Sequence, residues 1–401
     1  MKYILLTNIS YFPDYGGVEN SIKYLSKAYW HLGYKAIILV GQSKGQAFKR
    51  LTETPEGFIL RFRFRPFNND ILNLIFLPCS IFDFICCLLY VKYRYKPVMA
   101  LARNQLVSPL TSLLFNRCSI YLAPGFSKNQ QKSENLKSAS ISGLEILLGK
   151  AKKFIHSFFD RLSLKLAQNI FVFSDNMYTQ ALNCYPKSQF KIGIVKPGVD
   201  TDFFKPASSF SDKVKLRRKL LVPENKHVIL AVGRFVSAKG FDLLLNACKE
   251  LPCDWHLIIV GDGRDFNHLT KLKEKWGICH NVSFPGKVDN VDEFYRCADV
   301  FVMSSRYEPL GQTLLEAMAT GTPIISFRNN GAFINATQEV VGNLATYTDE
   351  NNVASLIKCI TKTLMLPSTN LKEQSSSLRS LAEESYSWNT LANTLLKSVQ
   401  D

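Results

Sequence analysis

The chain has 401 residues, more than one hydrophobic core ordinarily supports, which predicts two domains. Its 46% apolar and 20% charged residues exclude a compositionally disordered chain. The formal charge of +16 points to an anionic partner, either phosphorylated substrates or an acidic membrane surface, and away from nucleic acid, because no nucleic-acid-binding motif accompanies it.

The first segment, MKYILLTNIS, has an apolar run too short for a secretory signal, and Lys2 to Asn8 is read as a strand. A loop carrying Gly16 and Gly17 leads into a helix from about Val18 to Leu32. Paired glycines before a helix let backbone approach a ligand closely, since no Cβ intrudes. Lys35 to Val40 is a buried strand. In Phe58 to Phe67 (FILRFRFRPF) apolar residues alternate with Arg61, Arg63 and Arg65, the period of a strand with arginines on one face. That face is either solvated or in contact with a phosphate-bearing acceptor or a membrane.

Ile71 to Val91 is the most hydrophobic segment, interrupted by Asn73, Pro78 and Asp83. Between two strands a crossover helix is required, so it is read as a helix inside the domain, with peripheral membrane contact as the alternative, given Lys92, Arg94 and Lys96 beside it. Strands follow at Val98 to Ala102, Ser119 to Ala123, Asn169 to Phe173 and Lys191 to Val195. Ser127 to Ser157 is first polar and lysine-rich, then amphipathic. The ten cysteines are scattered without a C-x-x-C spacing, as expected of reduced, mostly buried cytosolic thiols, and the six histidines are assigned structural or surface positions.

At Lys196-Pro197-Gly198 the composition fits a domain boundary. The pattern then restarts with a strand, Val228 to Val232, feeding Gly233-Arg234 and Lys239-Gly240. A cationic pair at the carboxyl end of a strand suits a diphosphate, Arg234 forking to two oxygens and Lys239 acting as a point charge. Further strands are His256 to Val260, ending at Gly261-Asp262-Gly263, and Asn281 to Gly286, then a short helix from Asp292 to Ala298. The strand DVFVM (Asp299 to Met303) runs into a loop with Glu308, Pro309, Leu310 and Gly311, and a helix beginning Gln312-Thr313. A glycine at a helix N-terminus suits a phosphate, and carboxylates near it, here Glu308 and Glu316, are acceptors for sugar or ribose hydroxyls. Strands alternating with helices in both halves predict an α/β chain of two doubly wound, Rossmann-like parallel-sheet domains.

The stretch EPLGQTLLEAMATGTPII, with Glu316 eight residues after Glu308, resembles the E-x7-E motif of the retaining glycosyltransferases of family 4, the group 1 glycosyltransferases. The resemblance implies the GT-B fold, with two Rossmann-like domains facing a central cleft: an acceptor-side domain over 1–196, a nucleotide-sugar-binding domain over 197–375, and a closing helix in 376–401 that packs back on the first. It further implies that Gly16 and Gly17 face the donor phosphates and that Arg234 and Lys239 neutralise the leaving diphosphate. Glu316 would bind the ribose, and Glu308 with the backbone of Leu310, Gly311, Gln312 and Thr313 the sugar and phosphate; Gly263 lies in a Gly-Asp-Gly turn common in the family. Many members carry a histidine at the end of the Ser119 to Ala123 strand, where this sequence has Pro124. No cofactor and no obligate metal are implied.

The expected activity is hexosyl transfer with retention, from a nucleotide-diphosphate sugar to a glycan or lipid-linked acceptor. The setting is cell-surface polysaccharide, lipopolysaccharide or lipid-linked glycan biosynthesis, in the cytoplasm or peripherally on the inner face of the cytoplasmic membrane. The alternatives are a sugar-nucleotide 2-epimerase on the same fold and a non-catalytic scaffold, the latter supported by Pro124 and opposed by the intact Arg234, Lys239, Glu308 and Glu316 set.

Overall fold

The computed structural model describes residues 2–13, 16–42, 48–64, 66–67, 70–126 and 143–400. These form two compact units: one comprises the amino-terminal part up to Gly198 together with Trp388–Asp401, and the other is built from Val199–Ser387.

In the first unit the strands are β1 (Lys2–Thr7), β2 (Tyr34–Gly41), β3 (Leu51–Thr54), β4 (Gly57–Phe62), β5 (Met99–Ala102), β6 (Ser119–Leu122), β7 (Asn169–Val172) and β8 (Ile192–Ile194). They lie in the order β3-β4-β2-β1-β5-β6-β7-β8, parallel except for β3, which pairs antiparallel with β4. Ile4 to Leu6, Ile37 to Val40 and Met99 to Ala102 are all buried. Consecutive buried residues mean that both sheet faces are covered, which is why these strands read as continuous apolar runs. The closing helix, Trp388–Lys397, packs on the Gly17–His31 helix, and the Trp388 and Tyr24 rings stack with centroids 5.5 Å apart.

Two expectations for this unit change. The arginine-bearing strand stops at Phe62, and its arginines do not form one continuous face. Arg61 is half-buried, donating to the Phe12 carbonyl and the Thr52 hydroxyl, whereas the Arg63 amide is drawn off the ladder by Asp83, whose carboxylate accepts it at 2.7 Å. Arg65 lies outside the described residues, as does most of Ser127 to Ser157. The apolar segment is two helices, Asp70–Ile75 and Leu77–Tyr95, with Pro78 in the first turn of the second. Proline has no amide to continue the first helix, and its ring clashes with the preceding turn. Only one side of the longer helix packs inward, through Phe84, Cys87, Leu88 and Val91.

The second unit holds β9 (His227–Val232), β10 (Trp255–Val260), β11 (Val282–Gly286), β12 (Val300–Met303), β13 (Tyr307–Glu308), β14 (Ile324–Ser326), β15 (Ile334–Asn335) and β16 (Thr346–Tyr347). Six of them form a parallel sheet in the order β11-β10-β9-β12-β14-β16, while β13 and β15 pair separately. Alternate residues enter opposite cores: Val228, Leu230, Ile258, Val260, Phe301 and Met303 on one face, Ile229, Ala231, Leu257, Ile259, Val300 and Val302 on the other. Asp299, just before β12, anchors the sheet by accepting from Lys213, from Arg217 and from the Val228 amide. The Ser368–Ser385 helix also belongs here. Its Arg379 donates to the carbonyls of Ala319, Phe204 and Thr201, so the segment that returns to the first unit begins at Trp388 rather than at 376. All ten cysteines are free thiols.

Candidate functional site

At the carboxyl ends of β9 and β12 the second unit gathers most of the residues singled out by sequence. Gly233 and Arg234 follow β9, a short 3-10 turn spans Ser237–Lys239, and Gly240 (φ +64°) starts the Phe241–Cys248 helix. A Cβ on Gly240 would lie 2.0 Å from the Ser304 carbonyl oxygen, so only glycine lets this turn pack against the end of β12.

The contact is stitched by hydrogen bonds. The Ser304 hydroxyl donates to the Lys239 carbonyl at 2.9 Å and the Arg306 amide to Ala238 at 2.8 Å. The Arg306 guanidinium forks onto Asp242 at 2.8 and 2.9 Å and also donates to Ser237. These residues carry no recognisable local signal, and sequence reasoning missed them.

Lys239 Nζ is ion-paired with Glu308 Oε2, and the other oxygen of Glu308 accepts the Gly311 amide at 3.1 Å. Gly311 (φ +82°) then caps the Gln312–Ala319 helix, directing the first-turn amides towards this corner. Arg234 is exposed nearby in sequence, whereas the Lys239 and Glu308 side chains are largely covered, at 17% and 12% exposure. The Thr313 hydroxyl is buried with no hydrogen-bond partner among the described residues.

Glu316, one turn further into the helix, is only 8% exposed. Burial pushes its carboxyl up to about 7, against the opposing pull of the Tyr295 hydroxyl and the Lys239 charge. The Tyr295 oxygen stands 3.0 Å from both Glu316 Oε2 and the Thr313 carbonyl. One phenolic proton serves one of these, so when Tyr295 donates to Thr313 a protonated Glu316 supplies the second bond. Tyr295 sits in the Val291–Cys297 helix, 21 residues before Glu316, and was not singled out by sequence.

Gly263 has a packing position. A Cβ there would meet the Phe235 carbonyl oxygen at 2.5 Å, and the Phe235 amide donates to Asp262, so this turn is held against the Arg234 loop. Leu310, Gly311, Gln312 and Thr313 are brought together with Glu308, Lys239 and Glu316. Gly16 and Gly17 belong to the first unit, where Gly16 in extended backbone precedes the Gly17–His31 helix and Glu19 accepts from Ser10 at 2.5 Å. Pro124 lies just past β6. No group of three or more His, Cys, Asp or Glu side chains among the described residues is arranged to hold a metal ion. His256 is bonded to Ser283 inside the sheet at 2.8 Å, and burial holds its imidazole down to about 4.

Chemically, the corner offers two cations, a helix N-terminus with positive potential, and two carboxylates within reach of that anion site. It suits a phosphorylated ligand that also presents hydroxyls.

Residues 212–377 match the family model described as Glycosyl transferases group 1. A lipopolysaccharide core biosynthesis glycosyltransferase, LpsE, of Rhizobium meliloti is 43% identical over 115 residues, 29% of this chain and 34% of that protein. Mannosylfructose-phosphate synthase of Agrobacterium fabrum is 38% identical over 155 residues, 35% of this chain and 34% of that protein. The matched segments thus span about a third of the length of these relatives. Over the whole chain, sucrose-phosphate synthase of Thermosynechococcus elongatus superposes with a TM-score of 0.80 at 17% identity, covering 100% of this chain and 98% of that one. Anabaena Alr3699/HepE, solved in complex with UDP and glucose, gives 0.74 at 17% identity with both chains covered in full. These likenesses establish the GT-B fold.

Proposed function

We propose, from the match of residues 212–377 to the group 1 glycosyl transferases, that the chain transfers a sugar from a nucleotide-diphosphate donor to an acceptor hydroxyl, with retention at the anomeric carbon. The observation that carries this reading is the coupling of Lys239, Glu308 and Gly311 beside the buried Glu316, an anion site joined to hydroxyl acceptors. Arg234 and Lys239 take the diphosphate, Glu316 the ribose, and Glu308 with the backbone of Leu310 to Thr313 the sugar and its phosphate. A diphosphate oxygen replaces Glu308 at Lys239, which frees that Glu308 oxygen for a sugar hydroxyl.

In the reaction the bond between the anomeric carbon and the phosphate oxygen breaks, and the acceptor oxygen bonds to the same face of that carbon. The acceptor proton passes to the departing diphosphate, which leaves as the nucleotide. Charge accumulates on that diphosphate, so Arg234, Lys239 and the amides of the Gln312–Ala319 helix act where stabilisation counts most. The chain needs no obligate metal on this reading, because two side-chain cations and a helix N-terminus already face the leaving group.

Similarity to lipopolysaccharide core enzymes such as LpsE supports a cell-surface glycan as the product, and a lipid-linked acceptor. No helix among the described residues is long and apolar enough to cross a membrane. We propose a peripheral position on the cytoplasmic face of an anionic membrane, on the ground of the net charge of +16.

Calorimetric titration with UDP, GDP, ADP and their common sugar conjugates tests the donor site. One nucleotide sugar is expected to bind in the micromolar range, and Glu316→Ala and Arg234→Ala to abolish that binding. A folded protein that binds none of the panel would overturn the transferase reading.

A further inference from the structure

From Leu72 to Val91 the sequence carries a single charged residue, Asp83, and a helix this apolar on every side is ordinarily buried on every side. The Leu77–Tyr95 helix is not. Phe82 is 69% exposed, Tyr93 72% and Tyr90 51%, and Ile75 in the short helix before it is 69% exposed. Leu72, Leu77 and Ile81 are exposed as well. At a helical period of 100° per residue, Phe82, Cys86, Tyr90 and Tyr93 fall on one side, opposite the packed Phe84, Leu88 and Val91. Asp83 adds no free charge to this surface, since its carboxylate is taken by Arg50 and by the Arg63 amide.

The charges that border this surface are cationic. Lys92 and Arg94 occupy the last turn, and Lys96 caps it in the left-handed region at φ +47°. An open pocket of about 450 Å³ at this end is lined by Lys92, Lys96 and Arg117, with Asn116 and Cys118 beside them. Three cations around one opening suit a phosphate, and Tyr93 of the exposed apolar stripe follows Lys92 directly in the chain.

We infer that this surface is the membrane-docking face of the chain: Ile75, Phe82, Tyr90 and Tyr93 enter the headgroup region of an anionic bilayer, and Lys92, Lys96 and Arg117 take a lipid phosphate. The inference rests on the peripheral placement proposed above and names the face that carries it. Tyrosine suits this boundary, its ring being apolar and its hydroxyl wet. Charge selects the occupant. A second copy of the chain would bring the same cations, and a net +16, against themselves, whereas anionic lipid is complementary to them.

The experiment is co-sedimentation of the full chain with large vesicles of phosphatidylglycerol and phosphatidylcholine mixed, or of phosphatidylcholine alone, at low and high salt. Wild type, Phe82→Asp/Tyr93→Asp and Lys92→Glu/Lys96→Glu/Arg117→Glu are compared, with melting curves to confirm folding and light scattering to give mass. Wild type is expected to bind the anionic vesicles and to be released by salt. The apolar pair of substitutions should lower the apparent vesicle affinity at least tenfold, and the charge reversals should lower it about a hundredfold and abolish the preference for anionic lipid. If wild type binds and folded variants bind equally well, the peripheral reading stands and this face is wrong. If wild type binds neither vesicle, the peripheral reading itself fails and takes the face with it. A wild-type dimer converted to monomer by the apolar substitutions would make this a protein interface and overturn the lipid assignment.

Discussion

Arg234 and Lys239 are both cations near the carboxyl end of β9, yet the structure separates what their loss should do. Arg234 is exposed, so Arg234→Ala is expected to leave the melting temperature within a degree or two of wild type while lowering turnover about 100-fold, the usual cost of one charge-stabilising donor. Lys239 neutralises a largely covered Glu308, so Lys239→Ala should lower turnover and also cost about 1–3 kcal/mol of stability by leaving that carboxylate underpaired. Chemical denaturation run beside initial rates distinguishes the two. Equal stability losses would contradict this account.

Glu316 makes a pH prediction whose sign follows from its burial. Its carboxyl is raised from 4.5 to about 7 in the folded protein, so the folded state holds the proton longer than the unfolded one. The stability this contributes is present below about 4.5 and is lost as pH rises through about 7. Glu316→Gln is neutral throughout, so its melting temperature relative to wild type should be more favourable at pH 8 than at pH 5. Ribose hydroxyls prefer the ionised carboxylate. Nucleotide affinity should therefore increase between pH 6 and pH 8 in wild type with proton release on binding, and show neither effect in the variant, which titration in buffers of different ionisation enthalpy would reveal.

The elements around the site depend on two glycines for different reasons. Gly311 is left-handed at φ +82°, but an added Cβ would meet only side-chain atoms, of Leu314 at 3.2 Å, Glu308 at 3.4 Å and Met303 at 3.5 Å. Gly311→Ala should therefore cost about 1–2 kcal/mol, the price of that backbone region for an L-residue. Gly240 is also left-handed, and there the added Cβ would meet a backbone carbonyl at 2.0 Å, which cannot swing aside. Gly240→Ala should be the more destabilising of the two in urea denaturation, and the reverse order would show that the turn relaxes away from β12. The apolar Ile71 to Val91 segment carries a further element-scale lesson. The need for a crossover between two strands identified it as helical, but composition alone could not separate the Phe84 side from the Phe82 side, because both are apolar.

For the whole molecule, the two units have separate sheets, and Arg234, Lys239, Glu308 and Glu316, proposed to bind the donor, all belong to the second. Hydrogen exchange measured with and without the bound nucleotide should show slowed amides in Gly233 to Gly240 and in Glu308 to Thr313. Slowing at Gly16 and Gly17 as well would bring the first unit's glycine loop into the donor site, while unchanged exchange there would remove those two residues from it. Exchange in the buried Ile37 to Val40 strand should not respond, as its amides are already within the parallel ladder.

The sequence by itself determined the alternation of strands and helices. Parallel strands covered on both faces are continuous apolar runs, and runs such as VILAV, HLIIV and DVFVM announce themselves within six residues. It also marked Arg234 with Lys239, and Glu308 with Glu316, because the spacing within each pair is local. Only the tertiary structure decided what those groups experience. Tyr295 reaches Glu316, Arg306 grips Asp242 across 64 residues, and Lys239 finds Glu308 across 69, and no local pattern encodes such pairings. Burial is likewise a property of the assembled fold, so the carboxyl raised to about 7 and the apolar helix side left facing outward became visible only when the chain was folded around them.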